Sequence, residues 1–319
     1  MPYMTELSDI TFQGVASAPR WPSRKTVIRW TAKMVPWSLD DGTVYNMRSD
    51  AKNVRNIPSS SYGPIGHQLK AKAIALALQG RPWEAAMVEA LGYQIFDNHL
   101  DFFWHHQFRI LFPDHPRPLR TMDWERMTET MAMAFVLGWT PQATHQGYLI
   151  NAVLHRTWPL QLSYEQMHRR GHAFMLRLFA KWQGIPGHDW PAFAYDEPIY
   201  EGILERWNVS DPAILEPWLI AACDRHTHEA RSDSEKVFHD FSNMLCEPLE
   251  ILLLFRLREL IGLTNPVIDH PLMEAPFDHL PAVQSPYVPD ELMQGTLKRV
   301  REDWPEFDRV VSLDAIADG

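Results

Sequence analysis

From Gly63 to about residue 261 apolar residues recur with a helical period, and prolines sit where the period breaks. That pattern restricts the chain to an α-helical fold, because a 3.6-residue stripe cannot line one face of a strand. Ile65, Leu69, Ala73, Leu76 and Ala77 trace the first apolar face, and Gly80 ends that helix. Pro82 opens a long helix carrying Trp83, Met87, Leu91, Ile95, Phe102 and His106, with Pro113, Pro116 and Pro118 as its stop. Asp123 is placed to cap a helix with Met127, Met131, Ala134, Phe135 and Leu137 on its apolar side, and Thr140-Pro141 starts the next.

Ser163 with Gln166 reads as a capping box opening a helix to about Trp182. The stretch from Gly184 to Pro198 reads as a loop. Helices are expected at about 198–208, 212–231 and 233–261, then an irregular Pro-rich stretch over 262–288. A short helix is expected from Pro289-Asp290-Glu291. Short connections between such helices imply antiparallel pairs.

Residues 1–62 differ. They are rich in Pro, Ser, Asn and Gly, and their β-like pieces, Thr26 to Thr31 and Thr43 to Met47, flank the turn signal Asp40-Asp41-Gly42. The expected fold class is therefore all-α, a helix-hairpin array or bundle with a short non-helical N-terminal arm and a possible small β-hairpin. The expected organisation is an arm over 1–62, a helical body over 63–262, and a Pro-rich segment with a C-terminal helix over 263–319, packed on the body.

Charge narrows the function classes. Residues 1–188 hold 20 Lys/Arg against 14 Asp/Glu, whereas residues 189–319 hold 10 against 26. An acidic half repels phosphate, which disfavours a nucleic-acid partner and suits a basic protein partner instead. Apolar runs such as Ile251 to Phe255 fall far short of the ~20 residues that span a bilayer, so no membrane partner is expected. The N-terminus lacks a basic region followed by an apolar run, and Cys223 and Cys246 lack CxxC spacing. A cytoplasmic location is the expectation, with a monomer or homodimer as the assembly.

Templates for common chemistries are missing: GxSxG, GxxxxGK[ST], HExxH and a glycine-rich nucleotide fingerprint do not occur. Several titratable groups still stand out. His168 and His172 share a helix face, with Glu165 three residues before His168, but no second Glu-x-x-His completes a di-iron set. His226 and His228 are two apart and point to different sides of a helix, and His105-His106 are adjacent. Asp97, Asp101 and His105 form a polar stripe that could serve acid–base catalysis or could make interhelical hydrogen bonds. No catalytic residue, cofactor or metal site is expected.

Aromatic and acidic residues interleave over the 189–205 region: Asp189, Trp190, Tyr195, Asp196, Glu197, Tyr200, Glu201 and Glu205. Tyr and Trp anchors ringed by polar groups are the composition that protein interfaces favour. These eight residues are the candidate partner-binding set.

The segments KAKAIALALQGRPWEAAMVEAL and MAMAFVLGW, with the Pro-rich IDHPLMEAPFDHLP, resemble the all-α immunity proteins of bacterial polymorphic-toxin and type VI secretion systems. The resemblance implies a protein that binds and neutralises a cognate cytoplasmic toxin, a nuclease effector being one such toxin. It carries over no site residue. Two other classes stay open: a metal-dependent or acid–base enzyme built on the core His, Asp and Glu positions, and an α-solenoid scaffold.

Overall fold

The computed structural model describes residues 62–111, 124–155, 169–185, 190, 192–229, 241, 244 and 247–317. Among them every regular element is helical and no strand occurs. The α-helices are α1 (Tyr62–Leu78), α2 (Glu84–Leu111), α3 (Trp124–Val136), α4 (Thr140–His155), α5 (Arg170–Gln183) and α6 (Pro198–Arg206). They continue with α7 (Glu216–Glu229), α8 (Leu249–Leu260), α9 (Glu291–Asp303), α10 (Phe307–Val310) and α11 (Leu313–Ala317). Short 3-10 turns occupy Ala192–Tyr195, Pro212–Ile214 and Pro271–Met273. The N-terminal arm, both β-like pieces and the Ser163–Gln166 capping box lie outside the described residues.

Local chemistry sets the helix ends. Gly80 adopts φ +67, a left-handed conformation that Gly tolerates without a Cβ clash. The Arg81 amide then reaches back to the Leu76 carbonyl at 3.0 Å and closes α1. The same bond pattern closes α8, where Leu263 donates to the Arg258 carbonyl at 2.9 Å. At the other end, Asp290 caps α9 by accepting from the Met293 amide at 2.9 Å, as its position before Glu291 implies.

In two of the expected helices the structure shows a non-helical residue ahead of the described helix. Within the stretch expected as a helix over 233–261, α8 begins at Leu249, because Pro248 lacks an amide and disfavours helical backbone at Glu247. The chain before it turns instead, with Met244 bonded to the Phe241 carbonyl and Glu247 to the Met244 carbonyl. Of the helix expected from Ser163 to Trp182, the described part is α5, which starts at Arg170 after Arg169, whose ψ of 59 is not helical; residues 163–168 lie outside the described residues.

The chain divides into two compact units. One comprises the described residues of Ile28–Ala134, Trp139–Gln161 and Val283–Gly319. Its centre is the α1–α2 hairpin, where buried Ala71, Ala73, Ala75 and Ala77 let the helices approach closely against Met87, Ala90 and Leu91. The C-terminal segment closes on α2 through aromatic edges: Phe103 lies 5.0 Å from Phe307, and Trp104 lies 5.0 Å from Trp304. Helix α11 packs on α4.

The other unit comprises the described residues of Phe135–Gly138 and Leu162–Ala282. Its axis is α8, buried on every side from Leu249 to Arg258. A helix buried all round belongs in a core, and its charged Glu250, Arg256 and Arg258 are held there by hydrogen bonds. Helix α5 packs on α8 and on α6, and α6 packs on α7. Phe135 sets its ring edge-on to Trp182 at 5.3 Å, and Arg256 donates to the Val136 carbonyl at 2.8 Å.

Candidate functional site: an arginine-braced acidic and aromatic surface

The candidate partner-binding residues fall on α6 and the turn before it, opposite α5. Glu197 caps α6, accepting from the Ile199 amide at 3.3 Å, while Pro198 supplies the fixed φ of a first helical residue. The other oxygen of Glu197 takes the Arg225 Nε at 2.6 Å. Tyr200 is 2% exposed and stacks on Phe174 at 4.5 Å, with the Arg225 guanidinium 5.2 Å from its ring. Glu197 and Tyr200 thus hold α6 to its neighbours from below.

The remaining members face outward. Asp196 receives Arg170 at 2.5 and 3.0 Å, the two-point geometry that best suits a guanidinium and a carboxylate. Glu201 receives both terminal nitrogens of Arg177, one of them at 2.8 Å. Arg177 also donates to the Ala194 carbonyl, and its guanidinium lies 4.4 Å from the Tyr195 ring centre. Tyr195 is 47% exposed. Glu205 pairs with its neighbour Arg206, whose guanidinium lies over the Trp218 ring at 4.7 Å. Trp190 is half-buried, and Asp189 lies outside the described residues.

The structure therefore brings Tyr195, Asp196, Glu197, Tyr200 and Glu201 together around α5 and α6, and adds the arginines that the acidic count conceals. Arg170 and Arg177 are seven residues apart on α5, which puts them on one helix face. That spacing is the sequence signal that could have revealed the bracing.

The core titratable groups have separate homes. In the first unit, Asp97 is wholly buried 2.9 Å from Arg126, and Asp101 lies 3.6 Å from the same guanidinium. Helix α1 begins against this pair at Gly63, where a Cβ would overlap both Arg126 and Asp97. In the second unit, His226 sits with Nδ1 2.8 Å from Glu250 and Nε2 3.0 Å from the Met244 carbonyl, its ring stacked on Phe241 at 3.9 Å. One proton must lie between His226 and Glu250, on one or the other, because the second ring nitrogen donates to a carbonyl. Burial pushes the Cys223 thiol well up, and the nearby Glu250 and Asp224 carboxylates add to this, so it is held as an inert thiol.

His172 is buried on α5, while Glu165 and His168 lie outside the described residues, as do Cys246 and the side chain of His228. Among the described residues no three His, Cys, Asp or Glu side chains are placed to hold a metal ion. Nor is any described helix long and apolar enough to cross a membrane.

No family model matches this chain, and neither does a curated protein or a solved structure.

Proposed function

We propose that this chain is an immunity-type binding protein that captures and silences a basic partner protein, a cytoplasmic toxin, through the α5–α6 face of its second unit. The observation that carries the reading is Tyr195. Its ring is about half exposed, yet it rests on an arginine that Glu201 and a backbone carbonyl already fix in place. An exposed aromatic held still before binding loses little side-chain entropy on contact, and such residues dominate interface energies. Asp196 and Glu201 beside it present carboxylate edges to a basic surface, and the acidic excess of residues 189–319 speeds the approach of such a partner.

The bracing arginines temper the electrostatics. Each exposed ion pair is worth only ~0–1 kcal/mol, so binding strength rests on Tyr195 and Trp190, with the carboxylates setting orientation. Co-expression with the protein encoded by the neighbouring gene tests the reading. Wild type is expected to protect the cell and to co-purify with that protein. Tyr195→Ala is expected to weaken the complex by at least tenfold while melting normally. Absence of both protection and complex with wild type overturns the function, and full binding by Tyr195→Ala moves it to another surface.

A further inference from the structure

Helix α9 buries one side and leaves the other open. Met293, Thr296 and Val300, at spacings of three and four, form its buried face in the first unit. The opposite side borders an open groove of about 750 Å³, lined by Glu291, Gln294, Gly295, Leu297, Lys298 and Arg301 among others. Among the described residues no atom comes within 4 Å of the place where a Gly295 Cβ would stand, so the backbone itself is bare at the middle of the groove.

The two ends of this face complement each other. Its acid, Glu291, stands in the first turn, and its bases, Lys298 and Arg301, stand in the second half. Its apolar groups are split in the same way. Val288, 79% exposed, precedes position 296 by as many residues as the half-buried Trp304 follows it. Glu302 lies four residues after Lys298, where the two can pair along their own helix.

We propose that this face of α9 is a self-association surface, on which α9 of a second copy of this chain docks antiparallel about a two-fold axis near position 296. Each residue then faces the one equally far on the other side of that position. Glu291 meets the second copy's Arg301, Gln294 its Lys298 and Val288 its Trp304, and the symmetry makes each contact twice. On one flank of the seam the two Gly295 residues let the backbones approach, and on the other flank Leu297 meets Leu297. Antiparallel alignment also sets the positive end of each helix dipole beside the negative end of the other.

Arg301 is already positioned for this contact. Its Nε and one terminal nitrogen hold Asp308 at 2.8 and 3.0 Å, which fixes the guanidinium and leaves the other terminal nitrogen for a further carboxylate. A parallel second copy would set Glu291 against Glu291 and Arg301 against Arg301, and a uniformly basic or acidic partner would meet a like charge at one end. The face therefore selects a copy of itself, reversed.

Its size sets the strength. A helix of 13 residues is ~20 Å long, and a contact of that length falls below the ~800 Å² per partner of a standard interface. Self-association is therefore weak, with a Kd on the order of tens of micromolar, and dilute protein is monomeric with Gly295 bare. At ~0.15 M salt a Debye length of ~8 Å limits the repulsion between two chains of net charge −10.

Sedimentation velocity of the full chain at that salt, from about 1 to about 500 μM, tests the proposal. The mass of wild type is expected to rise from monomer toward dimer across the series. Gly295→Glu has open space for its side chain in the monomer, so it is expected to melt normally. It sets two carboxylates where the backbones meet, and is expected to weaken self-association by at least about tenfold. Glu291→Arg alone is expected to weaken it in the same direction, and adding Arg301→Glu to restore it, because the exchanged charges still face each other. Wild type that stays monomeric throughout overturns the proposal. So does a dimer that Gly295→Glu leaves intact, which puts the contact on another surface. A folded charge exchange that restores nothing overturns the antiparallel pairing. If the exchanged variant does not fold, Gly295→Glu decides alone.

Discussion

Gly202 of α6 lies directly beneath the indole of Trp218 on α7, so close that a methyl group in place of its hydrogen would overlap the six-membered ring. Trp218 is 4% exposed and also receives the Arg206 guanidinium on its face, so it has nowhere to retreat. Gly202→Ala is therefore expected to destabilise the protein by about 1–3 kcal/mol, the usual cost of forcing extra volume into a packed core. Gly295 on α9 supplies the contrast, because open space surrounds the place where its Cβ would be. Gly295→Ala should gain about 0.5–1 kcal/mol from helix propensity. Thermal melts of the two variants should move in opposite directions.

Arg258 is a wholly buried guanidinium that donates to the Trp207, Val209 and Thr264 carbonyls and to Asn265 Oδ1, at 2.6 to 3.2 Å. Arg258→Met keeps the volume but strands three carbonyls. The expected loss is about 3 kcal/mol or more, since each buried orphan costs ~1–3 kcal/mol. Arg258→Lys should recover little, because one ammonium cannot reach groups spread around a planar fork. Urea unfolding of both variants checks this. A lysine variant as stable as wild type would contradict it.

The His226–Glu250 pair, buried on both sides, should behave as one unit. Either Glu250→Leu or His226→Phe alone leaves a polar partner enclosed, at a cost of about 3–5 kcal/mol. The double variant should cost clearly less than the sum of the two, and a double-mutant cycle measures the difference. Additive losses would mean that the two groups do not share their proton.

Alkali should loosen the first unit. Burial, with the Asp290 and Asp97 charges adding to it, pushes the Tyr62 phenol up to about 12, against the lowering effect of its bond to Thr296. The neutral form is thus favoured in the folded state. Its contribution is whole below pH 10 and is lost as pH rises from about 10 to 12, a loss of about 2–3 kcal/mol. Tyr62→Phe should flatten part of that decline. Tyr287, also raised to about 12, leaves a remainder in the variant.

Much of the helical layout could be read in advance, because the signals are local. Gly80 at the end of α1, Asp290 before α9 and Thr140-Pro141 at the start of α4 act through their immediate neighbours, and the structure uses each as its chemistry implies. Pro248 shows the limit. The apolar run around it masked a break that a missing amide enforces. The candidate face was legible as composition but not as geometry. Asp196, Glu201 and Glu197 read as bare acids in a string of letters, and only the packing of α5 and α7 brings Arg170, Arg177 and Arg225 to them. Tyr200 likewise read as a surface aromatic because its neighbours are acidic, whereas its ring fills the space beside Phe174.

The four partners of Arg258 have a bearing on how this protein could be shortened. Two belong to the turn after α6, and two lie beyond α8, at Thr264 and Asn265, inside a Pro-rich stretch with the look of a dispensable spacer. Asn265 also donates back to the Phe255 carbonyl at 3.0 Å. A trimming experiment guided by helix boundaries alone would stop at Gly262 and discard the residues that satisfy a charge sealed inside the core. The practical border of the second unit therefore lies past Asn265, in chain that has no regular structure of its own.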